Sequence, residues 1–143
     1  MKIDIQEGFD SLEVVIKCPE ITDDIRKLEF LLHSHNKAMP VTKDGKTYLI
    51  DQRDVFYFES VDKRSFVYTA DDIYETPLRL YELEETLSDA GFIRSSKAQI
   101  LNIAKIKSLC PDFGGRLEVV MENCETLIVS RQYAKLLKER LGL

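Results

Sequence analysis

The chain has 143 residues, 44% of them hydrophobic, and a formal net charge of −5. That size and apolar content fit one compact domain with a small appendage and exclude low-complexity disorder. No stretch approaches the roughly 18 consecutive apolar residues of a membrane span, and the start, MKIDIQEGFD, lacks the apolar core of a signal peptide, so a cytoplasmic protein is expected.

From the N-terminus, LEVVIK (12–17) has the β-branched richness of a strand, and KIDI (2–5) could pair with it across GFDS. ITDDIRKLEFLL follows with Ile21, Ile25, Leu28 and Leu32 at helical spacing and Asp23 and Asp24 placed for the helix dipole. Residues 1–36 thus read as a small β-β-α unit, too short to bury a core alone. HSHNKAMP (33–40) reads as the junction to a second part, residues 37–143.

In that part AMPVT and KTYLI flank Lys43-Asp44-Gly45, a hairpin signal because Asp-Gly tolerates the positive φ of a type I′ turn. DVFYFES (54–60) and SFVYTA (65–70) read as inner strands joined by VDKR, and Asp71-Asp72 turns the chain into IYETP. Leu80, Leu83 and Leu87 stripe a helix, with Pro77 at its first turn and Gly91 as its C-terminal cap. FIR, QILNI and IKSL are short strands; GRLEVVM and ETLIV flank the turn Glu122-Asn123-Cys124, in which Asn123 can take the left-handed conformation; SRQYAKLLKERLGL is a closing amphipathic helix. The fold class is mainly β with short helices.

Charge is uneven along this order. Residues 1–36 carry 4 Lys/Arg against 8 Asp/Glu, residues 37–91 carry 7 against 12, and residues 92–143 carry 9 against 5. The acidic total therefore allows a basic face in the last third, and the local potential decides whether a polyanion is attracted. Catalytic chemistry is not signalled, because no G-x-S-x-G, P-loop or dinucleotide glycine pattern is present. Cys18, Cys110 and Cys124 show no CxxC spacing and read as reduced core thiols, and His33 and His35, even with Cys18, do not complete a metal set. Glu82, Glu84 and Glu85 lie on the polar side of the leucine-striped helix. Neither enzyme, cofactor nor small-molecule substrate is expected.

IDQRDVFYFES, the leucine-bearing helix, GFIRSSKAQILNIAKI and LIVSRQYAKLLKERL, in that order and spacing, resemble the LytTR family of DNA-binding domains over about residues 37–143. The family shows a Y/F-[FIL]-E-[AS] strand end, a helix, an F-x-R-x-H-[RK]-S-x-[LIV]-[LIV]-N run, and a Ser-Arg pair before a helix. Here Ser96, Lys97 and Ala98 stand where His, Arg or Lys, and Ser are common, so the basic position is kept. The resemblance implies an elongated fold whose loops enter successive grooves of double-stranded DNA. It implies three contact segments: Lys63, Arg64 and Ser65 in the first turn; Ser95, Ser96 and Lys97 in the second; Arg131 and Gln132 in the third.

The chemistry of these residues suits that role. Arg donates in parallel to guanine O6 and N7, Lys reaches the same acceptors or phosphate, and the serine hydroxyls suit phosphate, as would Ser130 capping the last helix. Arg131 is the first candidate for base reading, and Arg94 is read as an ion-paired strut under its loop. The receiver domain that precedes many LytTR domains needs on the order of 100 residues. The resemblance therefore implies a stand-alone regulator, acting as a homodimer and restrained in many relatives by a small membrane protein. The acidic residues 1–36 are assigned to dimerisation or to such a partner. The competing reading is a protein-interaction module of the same fold that acts on a related regulator.

Overall fold

The computed structural model of the chain describes residues 1–34, 38–87 and 91–143. The side chains of Phe30, Leu31, His33 and Ser34, residues 35–37 with His35 and the expected junction, and residues 88–90 lie outside that description.

Helix α1 spans Asp23–Ser34, with both aspartates in its first turn. Ten strands follow: β1 (Ala38–Lys43), β2 (Lys46–Asp51), β3 (Val55–Val61), β4 (Arg64–Thr69), β5 (Ile73–Thr76), β6 (Phe92–Ser96), β7 (Gln99–Asn102), β8 (Ile106–Pro111), β9 (Leu117–Met121) and β10 (Thr126–Val129). Helix α2 (Leu80–Leu87) separates β5 from β6, and α3 (Arg131–Arg140) follows β10. Strands β1 to β7 form one sheet in the order β2-β1-β5-β4-β3-β7-β6, and β10-β9-β8 form a second. All strand pairings among the described residues are antiparallel.

Both faces of the large sheet are covered, which explains the near-continuous apolar runs of its inner strands. Phe58, Val67, Ile100 and Phe92 face α2, where Leu80, Leu83 and Leu87 close one core. Phe56, Tyr57, Ile93 and Leu101 face the opposite way and meet Leu117, Val119, Met121 and Leu137 of the small sheet and α3. Phe56 and Tyr57 share that second core although adjacent, because the β3–β4 register shifts between Val55 and Tyr57 and a bulge breaks the alternation of side chains. Asn102, 2% exposed, ties the region together: its amide donates to the Val55 carbonyl at 2.8 Å and its oxygen accepts from Ala104 N–H at 3.0 Å.

The Asp-Gly turn forms as read, with Asp44 at φ 51° and Gly45 at φ 76° between paired Lys43 and Lys46. Gly91 has a positive φ of 79°. Four expectations are corrected. Residues 1–22 fall outside helix and strand, and Ile3, Ile5, Leu12, Val14 and Val15 are exposed; β-rich composition becomes a strand only through cross-strand pairing, which these segments do not make. Cys110 and Cys124 are exposed, not core thiols. In the β9–β10 turn the left-handed residue is Cys124, at φ 69°, while Asn123 instead accepts from Glu125 N–H at 3.1 Å. Helix α2 begins at Leu80, so Pro77 precedes it. Among the described residues no helix is long and apolar enough to cross a membrane, and no group of three or more His, Cys, Asp or Glu could hold a metal ion.

In the second core the rings of Tyr57 and Tyr68 stack at 4.2 Å. Burial, and then the nearby Glu125 carboxylate, pushes the Tyr57 phenol far above its usual range; burial and Glu59 push Tyr68 up as well. A raised folded value means that the stability these phenols contribute is present below the unfolded value and lost as pH rises through and beyond about 10. Urea unfolding should therefore show stability falling in alkali, and Tyr57→Phe should flatten that fall; an unchanged slope would mean that Tyr57 ionises as freely folded as unfolded.

Candidate nucleic-acid interface

Strand β3 lies between β4 and β7, so the β3–β4 and β6–β7 turns emerge side by side on one rim of the large sheet. Glu59 pairs with Gln99 at that rim. Two backbone hydrogen bonds then join three segments. Ser60 N–H, just before the first turn, donates to the Ala98 carbonyl at 2.8 Å, and Ser130 N–H, at the start of α3, donates to the Ser95 carbonyl at 2.8 Å. The β6–β7 turn is the middle member, and the sequence-predicted residues gather around it.

In the first segment Asp62 (φ 51°) and Lys63 (φ 64°) both adopt the left-handed region between paired Val61 and Arg64, the geometry of a tight type I′ hairpin. Lysine has no local reason to favour that region, where L side chains are strained. The turn is braced from α2's approach: Arg79 Nη1 donates to the Lys63 carbonyl at 3.3 Å. Among the described residues the Lys63 ammonium has no ion pair. Arg64 does: it pairs with Glu75, and its guanidinium lies 5.4 Å from the centroid of the Phe66 ring. Lys63, Arg64 and Arg79 line a cleft of about 220 Å³.

The second segment contains a bulge, since Arg94 pairs with Ile100 but Ser96 with Gln99. The extra residue, Ser95, turns inward; it is 0% exposed and its hydroxyl donates to Gln99. Ser65 is also buried, at 5% exposure, on the β4 face opposite Thr76. Both side chains are thus turned from solvent in this structure, unlike the exposed Lys63 and Lys97. Ser96 is half-buried and its hydroxyl accepts from Ala98 N–H at 3.2 Å, while Lys97 is exposed at the apex with no ion pair among the described residues. Beneath it Arg94, with only 15% of its side chain exposed, donates to the Lys97 carbonyl at 2.6 Å and to Glu84 of α2 at 2.9 Å. Arg94 is a strut, as its sequence setting suggests.

In the third segment Ser130 holds the cap position of α3, and its carbonyl accepts from Tyr133 and Ala134 N–H at 3.0 Å each. Its hydroxyl makes no capping bond, in contrast to the capping role considered for it. Arg131 and Gln132 are exposed. Arg131 pairs with neither Glu59 nor Glu125 among the described residues. Sequence reading missed Arg79, whose bond to a backbone carbonyl 16 residues away follows from the fold and has no local signature.

Comparison with known proteins agrees with the sequence resemblance. The family model described as LytTr DNA-binding domain matches residues 45–142. The sensory transduction protein LytT of Enterococcus faecalis is 29% identical over 108 residues, which are 76% of this chain and 45% of that protein. An HTH-type transcriptional regulator of Staphylococcus aureus is 28% identical over 130 residues, 90% of this chain and 88% of that protein. The chain thus spans less than half the length of the first relative and most of the second. A solved LytTr DNA-binding domain, of a methyl-accepting/DNA response regulator from Bacillus cereus, superposes with a TM-score of 0.71 at 27% identity, over 76% of this chain and 100% of that domain.

The strut has a measurable consequence. Arg94→Ala should lower stability by about 1–3 kcal/mol, the worth of hydrogen bonds to a charged group, and speed amide exchange at residues 96–98. Wild-type exchange there would show that the turn holds its shape without Arg94.

Proposed function

The chain belongs to the LytTR family of DNA-binding domains, a non-enzymatic regulator fold, and from that membership we propose that it is a transcription regulator whose basic loops read duplex DNA. The observation that carries the reading is the joined rim: Lys63, Lys97 and Arg131, each without an ion pair among the described residues, stand on three segments bonded to one another. Preorganised cations lose little ordering entropy when they bind.

Arg131 reads a base, through the two parallel donors that match guanine O6 and N7, and Gln132 beside it can pair with adenine N6 and N7. Lys63 and Lys97 neutralise phosphates and set the register, with Ser96 and the first-turn N–H groups of α3 as neutral donors. Arg64 joins them by exchanging Glu75 for phosphate, because a surface pair of this kind is worth only about 0–1 kcal/mol. The −5 net charge does not oppose this, since residues 92–143 carry an excess of four positive charges and contact potential falls off over roughly 8 Å at physiological salt.

A second part of the reading concerns residues 1–34. Ile3 at 74% exposure and Leu12 at 80%, with the half-buried face of α1 at Ile25 and Leu28, favour a protein partner for this acidic segment. We assign it to a second copy of the chain, giving a homodimer on repeated or palindromic half-sites. Pairing with a related regulator or a small membrane protein is the alternative that the same surface supports.

Fluorescence anisotropy on a selected duplex tests these roles. Arg131→Ala should cost about 1–3 kcal/mol and relax specificity at one base pair, while Lys63→Ala or Lys97→Ala should weaken all duplexes alike and lower the salt slope by about 1. Wild-type affinity in Arg131→Ala would remove Arg131 from base reading. By sedimentation the chain should be a dimer and Ile3→Asp/Leu12→Asp a monomer; a wild-type monomer would transfer the segment to another partner.

A further inference from the structure

We propose that Gly115 is the seat that holds Arg131 in its base-reading conformation, which makes the β8–β9 loop, residues 112–116, a positioning element of the DNA interface. The proposal rests on the reading of Arg131 given above and deepens it.

The register of the small sheet brings the loop to the site. Pro111 pairs with Leu117, and Leu117 with Val129, so the loop closes the same end of the sheet from which Ser130 and Arg131 depart. The loop is self-bonded. Asp112 N–H donates to the Arg116 carbonyl at 2.9 Å, Arg116 Nε donates to the Phe113 carbonyl at 3.1 Å, and Arg116 lies 3.7 Å from the Asp112 carboxylate. Within it Gly114 (φ 74°) and Gly115 (φ 82°) are both left-handed.

Backbone conformation alone accounts for glycine at both positions, but their surroundings differ. A Cβ at Gly114 would meet nothing within 4 Å, whereas one at Gly115 would lie 3.3 Å from Arg131 Cγ, 3.6 Å from Cδ and 3.8 Å from Nε. The missing side chain is thus the groove in which the Arg131 stem lies. Among the described residues the Arg131 side chain has no hydrogen bond or ion pair, so this packing is what orders its stem while leaving the guanidinium head free. An unsupported arginine would lose its full rotamer freedom on being fixed at a base; a stem already seated loses less.

Gly114 supplies an internal control for the test. Asn tolerates the left-handed region, so Gly114→Asn carries any residual backbone strain without touching Arg131, and Gly115→Asn carries the same strain plus bulk against the stem. Anisotropy on the duplex selected by the wild-type protein should show Gly114→Asn within about twofold of wild type and Gly115→Asn weaker by about tenfold, the lower end of an Arg–guanine loss. Discrimination at the base pair read by Arg131 should fall with it. In an Arg131→Ala background, Gly115→Asn should have no further effect beyond Gly114→Asn. If Arg131→Ala weakens binding but Gly115→Asn behaves as Gly114→Asn, the seat is refuted while base reading stands. If Arg131→Ala binds as wild type, base reading fails, and the seat with it. Should Gly115→Asn fail to fold, Gly115→Ala against Gly114→Ala makes the same comparison.

Discussion

Two backbone hydrogen bonds govern the geometry of the interface: Ser60 N–H to Ala98 and Ser130 N–H to Ser95. Both acceptors sit in or beside the β6–β7 turn, so that turn fixes the spacing between the β3–β4 hairpin on one side and the start of α3 on the other. Each such bond is worth about 0.5–1.5 kcal/mol net, and together they bias the three segments toward one spacing. Loops ordinarily move independently of one another. Here they are extensions of sheet hydrogen bonding, which is how a β protein can present three contact points to a duplex without a recognition helix lying in a groove.

Acidic residues contribute to this rim by holding arginines in place. Glu84 anchors Arg94 under the Lys97 turn, Glu75 holds Arg64, and Glu82 accepts from Arg79 N–H at 3.3 Å at the start of α2. Arg94, largely buried and paired, is part of the scaffold, whereas in the proposed reading the unpaired Lys63, Lys97 and Arg131, joined by Arg64 on release from Glu75, meet the polyanion. A chain with 25 acidic and 20 basic residues can still suit a DNA-binding family, because the local potential at the rim, not the net charge, decides whether a polyanion is attracted.

Much of the fold was legible in the sequence because the signals were local. The Asp44-Gly45 hairpin, the leucine stripe of α2, the inner strands and the Ser130-Arg131 boundary each follow from a few adjacent residues. What escaped depends on long-range pairing. Ser95 lies within a polar run that reads as exposed, yet the bulge turns it inward and binds it to Gln99, an outcome that period-two reading cannot anticipate. Arg64 looks free in a Lys-Arg turn, but β4–β5 pairing brings Glu75 alongside. KIDI and LEVVIK have strand composition, and strand formation needs an edge that composition does not provide. The groove over Gly115 likewise requires residues 115 and 131 to meet at the end of the small sheet.

The most direct test of the central claim is selection of bound sequences from a pool of random-centred duplexes by the purified protein, followed by a salt titration of the enriched site. Enrichment of a defined motif, with log affinity falling steeply and linearly against log salt, is the result this structure predicts, since several phosphate contacts release several counterions. No enrichment and no binding even at low salt would contradict it and leave the fold as a protein-interaction module.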